Sequence, residues 1–183
     1  YMNIELIGAR KDVAMTGLAG HRRYGYKIDE LIQAIRNFIG WSEPISATLI
    51  GAGSLASALL GYDDFATYGL RIESVFDIDP QKIGRSIHGH EVFDIATISK
   101  RLTPHLPKIG IICVSNTAAQ EVADILISIG IRYIWNFANV CLQVPDDIIV
   151  QREVIAGGFA VLAAKIKNVA AGCPPAYGEC PNR

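Results

Sequence analysis

No run of about 18 consecutive uncharged apolar residues occurs in the sequence, so no membrane-spanning helix is expected and no membrane partner is implied. A basic N-terminal stretch running into an apolar one is also missing. No secretory signal peptide is therefore expected, and the cytoplasm is the expected compartment. Cysteine is scarce: four in 183 residues do not make a disulfide framework in a chain this long. Net charge is nearly absent at −1, which excludes a polycation that would bind nucleic acid along its whole length. Internal repeats and low-complexity tracts are lacking. What remains is a chain half hydrophobic and 19% charged, enough apolar material for one substantial domain and a smaller one.

The small net charge hides an uneven distribution. Residues 1–27 hold five basic side chains (Arg10, Lys11, Arg22, Arg23 and Lys27) against two acidic ones, Glu5 and Asp12. A basic end on an acidic body suits an anionic partner there, although surface scatter gives the same pattern. Asn3 is placed to cap a helix from Ile4 to about Met15 that stops at Gly17. The glycine-punctuated stretch GLAGHRRYGYK (17–27) has the composition of a tight hairpin or wing. One helix and one hairpin bury little, so residues 1–40 are expected to be the rear part of a domain whose first part lies outside this sequence. Residues 28–39 place Ile28, Leu31, Ile32, Ile35, Phe38 and Ile39 on one helical face, with Gly40 as the stop and residues 41–44 as a linker.

From Ile45 the pattern changes to short apolar runs alternating with helical segments. Strands are expected at 45–50, 71–77, 109–114, 132–136 and 147–150, and helices from about 54, from about 80 and over 117–129. Continuous apolar strands separated by helices mean a parallel sheet covered on both faces. The first strand runs into Gly51-Ala52-Gly53-Ser54-Leu55-Ala56, followed by a helix. In that context the first glycine permits the tight turn. The second lets backbone N–H groups approach a pyrophosphate at the helix N-terminus, and Ala56 stands where the third glycine usually does. The second strand ends in Phe76-Asp77-Ile78-Asp79-Pro80. A carboxylate there accepts from ribose hydroxyls and repels a 2′-phosphate, which favours NAD(H) over NADP(H). Asp77 is the expected ribose partner and Asp79 the expected cap. Ser115 and Asn116 after the 109–114 strand, and Asn136 after the next, stand at the strand ends where ligands sit in this fold.

Groups able to carry out catalysis are thin on the ground. There is no Tyr-x-x-x-Lys pair, and no Ser/His/Asp or Cys/His set can be assembled. His88 and His90 are expected in a loop after the second helix, His21 in the wing and His105 before the 109–114 strand. Cys113 and Cys141 are expected to be packed. Cys173 and Cys180 offer only two ligands with no nearby histidine, so no metal site is expected. The nucleotide is therefore expected to be read and not consumed, and the protein is not expected to be an enzyme. The Ala-rich segment 152–169 is expected to be an apolar helix in need of a partner, and 170–183 an irregular tail.

These pieces together resemble the Rex family of bacterial redox-sensing transcriptional repressors. Gly8–Val13 (GARKDV) is similar to the recognition helix and residues 17–26 to the wing next to it. Residues 49–55 with 76–80 resemble the NAD loop and the end of the second strand, and Trp135–Ala138 resembles the family's Asn-Phe-Ala motif. The match covers nearly all of residues 4–169. It departs from the family pattern at Ala56, at Asn139, where proline is usual, and near Ala164, where a bulky aromatic normally faces the nicotinamide.

The fold the resemblance implies is α/β. A Rossmann doubly wound parallel sheet (45–150) is preceded by a partial winged-helix DNA-binding domain with a linker helix (1–40). Behind the sheet comes a C-terminal helix (152–169) exchanged within a homodimer. Arg10 and Lys11 would contact operator DNA from the recognition helix, and Arg22 and Arg23 from the wing. NAD(H) would be held by Gly51, Ala52, Gly53, Ser54, Leu55, Asp77, Ser115, Asn116 and Asn136, with NADH releasing the DNA. Two alternatives remain open from the residues alone: an NAD-dependent Rossmann oxidoreductase, and a CoA- or nucleotide-binding regulatory module.

Overall fold

A computed structural model describes residues 6–21 and 23–170. The expected cap Asn3, Arg22, Cys173, Cys180 and nearly all of the expected tail lie outside the described residues. In chain order the elements are α1 (Leu6–Met15), α2 (Ile28–Phe38), β1 (Ile45–Ile50), α3 (Ser54–Leu60), α4 (Asp64–Thr67), β2 (Leu70–Asp77), β3 (Ser86–Ile87), β4 (His90–Asp94), α5 (Ile98–Leu102), β5 (Ile109–Ile112), α6 (Ala119–Ser128), β6 (Tyr133–Asn136), β7 (Ile149–Arg152) and α7 (Ile155–Ala170). They fall into two compact units, one of residues 44–154 and one joining the chain's two ends.

In the 44–154 unit, seven strands form one sheet in the order β3-β4-β2-β1-β5-β6-β7. Every pairing is parallel except β3 with β4. β1 lies at the centre, with the chain moving outward on one side and then on the other. This is the doubly wound Rossmann arrangement, whose ligands sit where the strand order reverses. Side chains alternate cleanly across the sheet. Ile50, Phe76 and Ile112 join Ile98, Leu102, Val122 and Leu126 of α5 and α6 in one core cluster. Their neighbours Leu49, Val75 and Ile111 pack on the other side with Ala52 and Ala56. Ala56 is fully buried there, so the position that is usually glycine accommodates a methyl group within the core. No helix of the described residues is long and apolar enough to cross a membrane.

The segment after β2 departs from the sequence expectation. No helix begins near residue 80. The Asp79 carboxylate accepts from the Gln81 N–H at 2.9 Å, and the Asp79 carbonyl accepts from Lys82 and Ile83, giving a single turn. The chain then reverses at Gly84, whose N–H donates to the Val92 carbonyl at 2.8 Å. The β3–β4 hairpin comes next, with its bend at His88 and Gly89, both at positive φ. His88 is thus a turn residue and His90 opens β4, in place of the loop expected for both. The helix expected from 54 is also broken at Gly61 into α3 and the four-residue α4.

The other unit contains α1, α2 and α7. α1 ends where the Thr16 hydroxyl and the Thr16 N–H both turn back to the Val13 carbonyl. His21 and Gly25 exchange both backbone hydrogen bonds, at 2.7 and 3.0 Å, closing a tight antiparallel bridge. Tyr26 packs its ring over Gly20. The apolar face expected on α2 is present but open, with Ile28 74% exposed and Phe38 53% exposed. α7 likewise leaves Phe159 71% and Ile166 62% exposed.

Leu126 tests the packing of the sheet. It is fully buried, and its Cδ1 lies 2.6 Å from where a side chain on Gly110 would begin. Leu126→Ala is expected to lower the unfolding free energy by about 2–5 kcal/mol. Urea denaturation checks this; a loss under about 1 kcal/mol would mean that the site collapses or is not core.

Candidate functional site

The carboxyl ends of β1, β2 and β5 open into a cleft of about 360 Å³. Gly51 stands at its base with φ +99°, a conformation that side-chain-bearing residues avoid. A Cβ on Gly51 would also lie 2.6 Å from the Cys113 carbonyl oxygen, so both backbone shape and space demand glycine. Gly53 caps α3, and nothing lies within 4 Å of where its Cβ would be. Bare backbone therefore faces open space at the start of a helix, the arrangement a phosphate requires. Ser54 is exposed at the first position of α3, and Leu55 is half-buried behind it.

Asp77 ties this loop to the neighbouring strand. The Ala52 N–H donates to its Oδ2 at 2.7 Å and the Asp79 N–H to its Oδ1 at 2.8 Å. Lys82 Nζ donates to Oδ2 at 3.1 Å and stands 3.8 Å from the Asp79 carboxylate. Burial works against ionising Asp77, but the two backbone N–H groups and the lysine outweigh it and hold the carboxyl below its ordinary value. Asp77 lines the cleft, and its Oδ1 accepts one of these bonds where Oδ2 accepts two.

The wall opposite is supplied by β5 and α6. Val114 and Ser115 leave β5, and Ala118, Glu121, Val122 and Ile125 of the adjoining turn and helix line the cleft. Those four positions have helical spacing and share one face. Ile78 and Ile95 close the wall on the β2–β4 side. Burial pushes the Cys113 thiol up to about 12, so this cleft-lining cysteine stays protonated near neutrality. It is half-buried, and Cys141, expected to be packed, is exposed.

The polar residues expected at the far end have internal partners. Ser115 Oγ lies 3.0 Å from Thr117 Oγ1. Asn116 Oδ1 accepts from the Asn139 N–H at 2.8 Å. Asn136 is fully buried: its Oδ1 accepts from the Ala138 N–H at 2.9 Å and its Nδ2 donates to the Val140 carbonyl at 3.0 Å. Asn116 and Asn136 therefore shape the 137–140 loop from two sides, and Asn136 does not line the cleft. Lys82, Ile78, Ile95 and Glu121 also line it, and no sequence motif marks them. The signal for Glu121 is its spacing from Ala118 and Ile125. For Lys82 no local signal exists beyond its place three residues after Asp79.

On the other unit, Arg10 and Lys11 are exposed on α1, and Arg23 is exposed within the closed hairpin beside Tyr24, which is 85% exposed. Among the described residues no group of three His, Cys, Asp or Glu side chains is arranged to hold a metal.

Comparison with known proteins gives a consistent picture. A family model described as a CoA binding domain matches residues 42–140. A protein of Treponema denticola named redox-sensing transcriptional repressor Rex is 42% identical over 167 residues, covering 91% of this chain and 80% of that protein. A Rex repressor of Clostridium botulinum is 37% identical, covering 87% of this chain and 76% of its own length. Among solved structures, RSP, a Rex-family repressor, in complex with β-NAD+ and operator DNA superposes with a TM-score of 0.85 at 30% identity, covering 93% of this chain and 79% of that one. RSP in complex with β-NADH superposes at 0.79 with 29% identity, over 91% and 77%.

Asp77 generates a pH prediction. Its folded pKa is lowered, so its contribution to stability is full above the unfolded carboxylate value of about 3.9 and is lost as pH falls through the lower folded value. Asp77→Asn should therefore be less stable than the parent at pH 7, and the gap should narrow as pH falls below about 4. Parallel urea titrations measure the gap; one that stays constant over that fall would exclude an ionised Asp77 as the tie.

Proposed function

The chain belongs to the Rex family of redox-sensing transcriptional repressors, its central domain being of the CoA-binding-domain family, and we propose that it binds operator DNA as a homodimer and releases it when NADH occupies the cleft. The observation that carries this is the pairing, in one chain, of a phosphate loop tied to Asp77 with an exposed basic helix and hairpin. An enzyme built on the same sheet has no use for the second feature. The relatives are named as repressors, which favours a regulator over a dehydrogenase. A repressor works where the DNA is, so its place is the cytoplasm.

The residues present fit a dinucleotide. Gly51, Ala52, Gly53, Ser54 and Leu55 would hold the pyrophosphate through bare backbone and the start of α3. Asp77 would accept from the adenosine ribose while its charge disfavours a 2′-phosphate. Ser115 and Asn116 stand at the next strand end, and Asn136 would act by holding the 137–140 loop that borders it. Arg10 and Lys11 would read or position DNA from α1, and Arg22 and Arg23 would reach phosphates or the minor groove. The domains are then 1–40 for DNA, 45–150 for the nucleotide and 152–169 for the dimer.

α7 supports the dimer. A helix that leaves Phe159, Val161, Leu162 and Ile166 more than half exposed requires an apolar partner. Exchange with a second copy supplies one. Repression then responds to the NADH/NAD+ ratio because the two forms differ in how strongly they favour the dimer arrangement that lets go of DNA. The nicotinamide, when bound, supplies only the difference in charge and shape between its two redox forms.

Fluorescence anisotropy of the full-length protein on DNA upstream of its own operon, at stated salt, tests this. Tight binding should be abolished by NADH and preserved with NAD+. No salt-dependent DNA binding under any condition overturns the proposal. The description of the central domain favours a second reading, that the cleft takes CoA; CoA in place of NADH in the same titration decides it.

Two variants separate the halves. Arg10→Ala should weaken specific DNA binding by about tenfold or more while NADH affinity stays at the parent value. Equal loss of both would remove Arg10 from the interface. Gly51→Ala, checked for folding by circular dichroism, should still bind DNA but no longer respond to NADH. A normal NADH response would take the glycine loop out of the sensor.

A further inference from the structure

We propose that Glu121 reads the base of the dinucleotide, accepting a hydrogen bond from the exocyclic 6-amino group of adenine and so selecting adenine over 6-oxo purines; this rests on the assignment of the cleft to NAD(H). The cleft lining offers three kinds of chemistry. Bare backbone at Gly53 suits phosphate, and Asp77 with Lys82 suits the ribose. The rest of the lining is apolar, Ile78 and Ile95 on the β2–β4 side and Val122 and Ile125 on the α6 side, and suits the two faces of a flat aromatic base. Glu121 lines the α6 side, one helical turn from both Ala118 and Ile125.

Glu121 and Asp77 are the two acidic side chains lining the cleft. Asp77 is engaged by backbone and Lys82. Glu121 is exposed, and its carboxylate has no hydrogen-bond or ion-pair partner among the described residues. A free carboxylate repels phosphate and accepts hydrogen bonds only, so the complementary group is a donor on an uncharged ring. Adenine offers that donor at position 6; hypoxanthine and guanine place an acceptor oxygen there. Glu121 also stands in the first turn of α6, where an acid complements the helix N-terminus. That role would leave base preference untouched, so the preference is the quantity to measure.

The experiment compares binding of NADH, reduced nicotinamide hypoxanthine dinucleotide and reduced nicotinamide guanine dinucleotide to the full-length protein by nicotinamide fluorescence. The parent should bind NADH about tenfold or more tightly than the hypoxanthine analogue, the worth of one charge-assisted hydrogen bond. Glu121→Ala should bring that ratio close to one, and so should Glu121→Gln, whose amide accepts from a 6-amino group or turns to donate to a 6-oxo group. A ratio unchanged in Glu121→Ala overturns the proposal, as does tighter binding of the guanine analogue, which would put the carboxylate at the 1,2-edge. Should Glu121→Ala lose all NADH binding, the ratio in Glu121→Gln decides. Failure of the parent to bind NADH would instead overturn the NAD(H) assignment itself.

Discussion

The carboxylate of Asp77 is the constraint on which the nucleotide cleft depends. It is the last residue of β2, yet it holds the N–H of Ala52, just past the end of β1, and the N–H of Asp79 beyond it. Through the first bond the glycine loop is fixed to its neighbouring strand. Through the second the turn after β2 starts in one geometry. Backbone donors satisfied by a buried carboxylate are costly to lose, because removal leaves desolvated N–H groups without a partner. The residue expected to touch the ribose thus also builds the loop that would hold the pyrophosphate. Ligand recognition and local architecture share one side chain, and a substitution there cannot be read as loss of a ligand contact alone.

Gly51 shows the same economy from the opposite direction. Its positive φ lets β1 end abruptly, and its missing side chain lets the loop pass against the Cys113 carbonyl at the end of β5. Two strand ends are brought together at the switch point by an absence of atoms. Cys113 is held there as a protonated thiol by burial, so it contributes packing and not nucleophilic chemistry.

How far the sequence is legible depends on how local each signal is. The β1–loop–α3 unit is legible because a strand, Gly51, Gly53 and a helix succeed one another without interruption. The α2 stripe is legible because helical periodicity needs no knowledge of the partner. The β3–β4 hairpin is not. Its first strand has two residues, its polar character resembles a loop, and only pairing of β4 with β2 makes it part of the sheet. The single turn at 80–84 resembles a helix start because an acid before proline is the usual N-terminal signature; the hydrogen bond from Gly84 to Val92 reverses the chain before a second turn can form. Asn136 is legible as a strand-end residue, but the direction of its amide depends on where Ala138 and Val140 come to lie. Lys82 gains its meaning only from that same turn, which folds it back onto Asp77.

A switch needs more than an input site and an output site. The cleft belongs entirely to the 44–154 unit, and the basic helix and hairpin belong entirely to the other. Rigid elements cannot carry a preference between them unless some part of the assembly has two arrangements of similar free energy. Open apolar helix faces are suited to that part, because their packing is settled by association and not by folding. α2 and α7 both carry such faces, at Ile28 and Phe38 and at Phe159 and Ile166. In the proposed homodimer they are where a nucleotide-dependent change in the Rossmann unit would be converted into the spacing of two DNA-contacting helices. That spacing must match successive major grooves to within a fraction of a helical turn. In that homodimer a rearrangement confined to these helix faces would change the spacing while leaving the sheet intact.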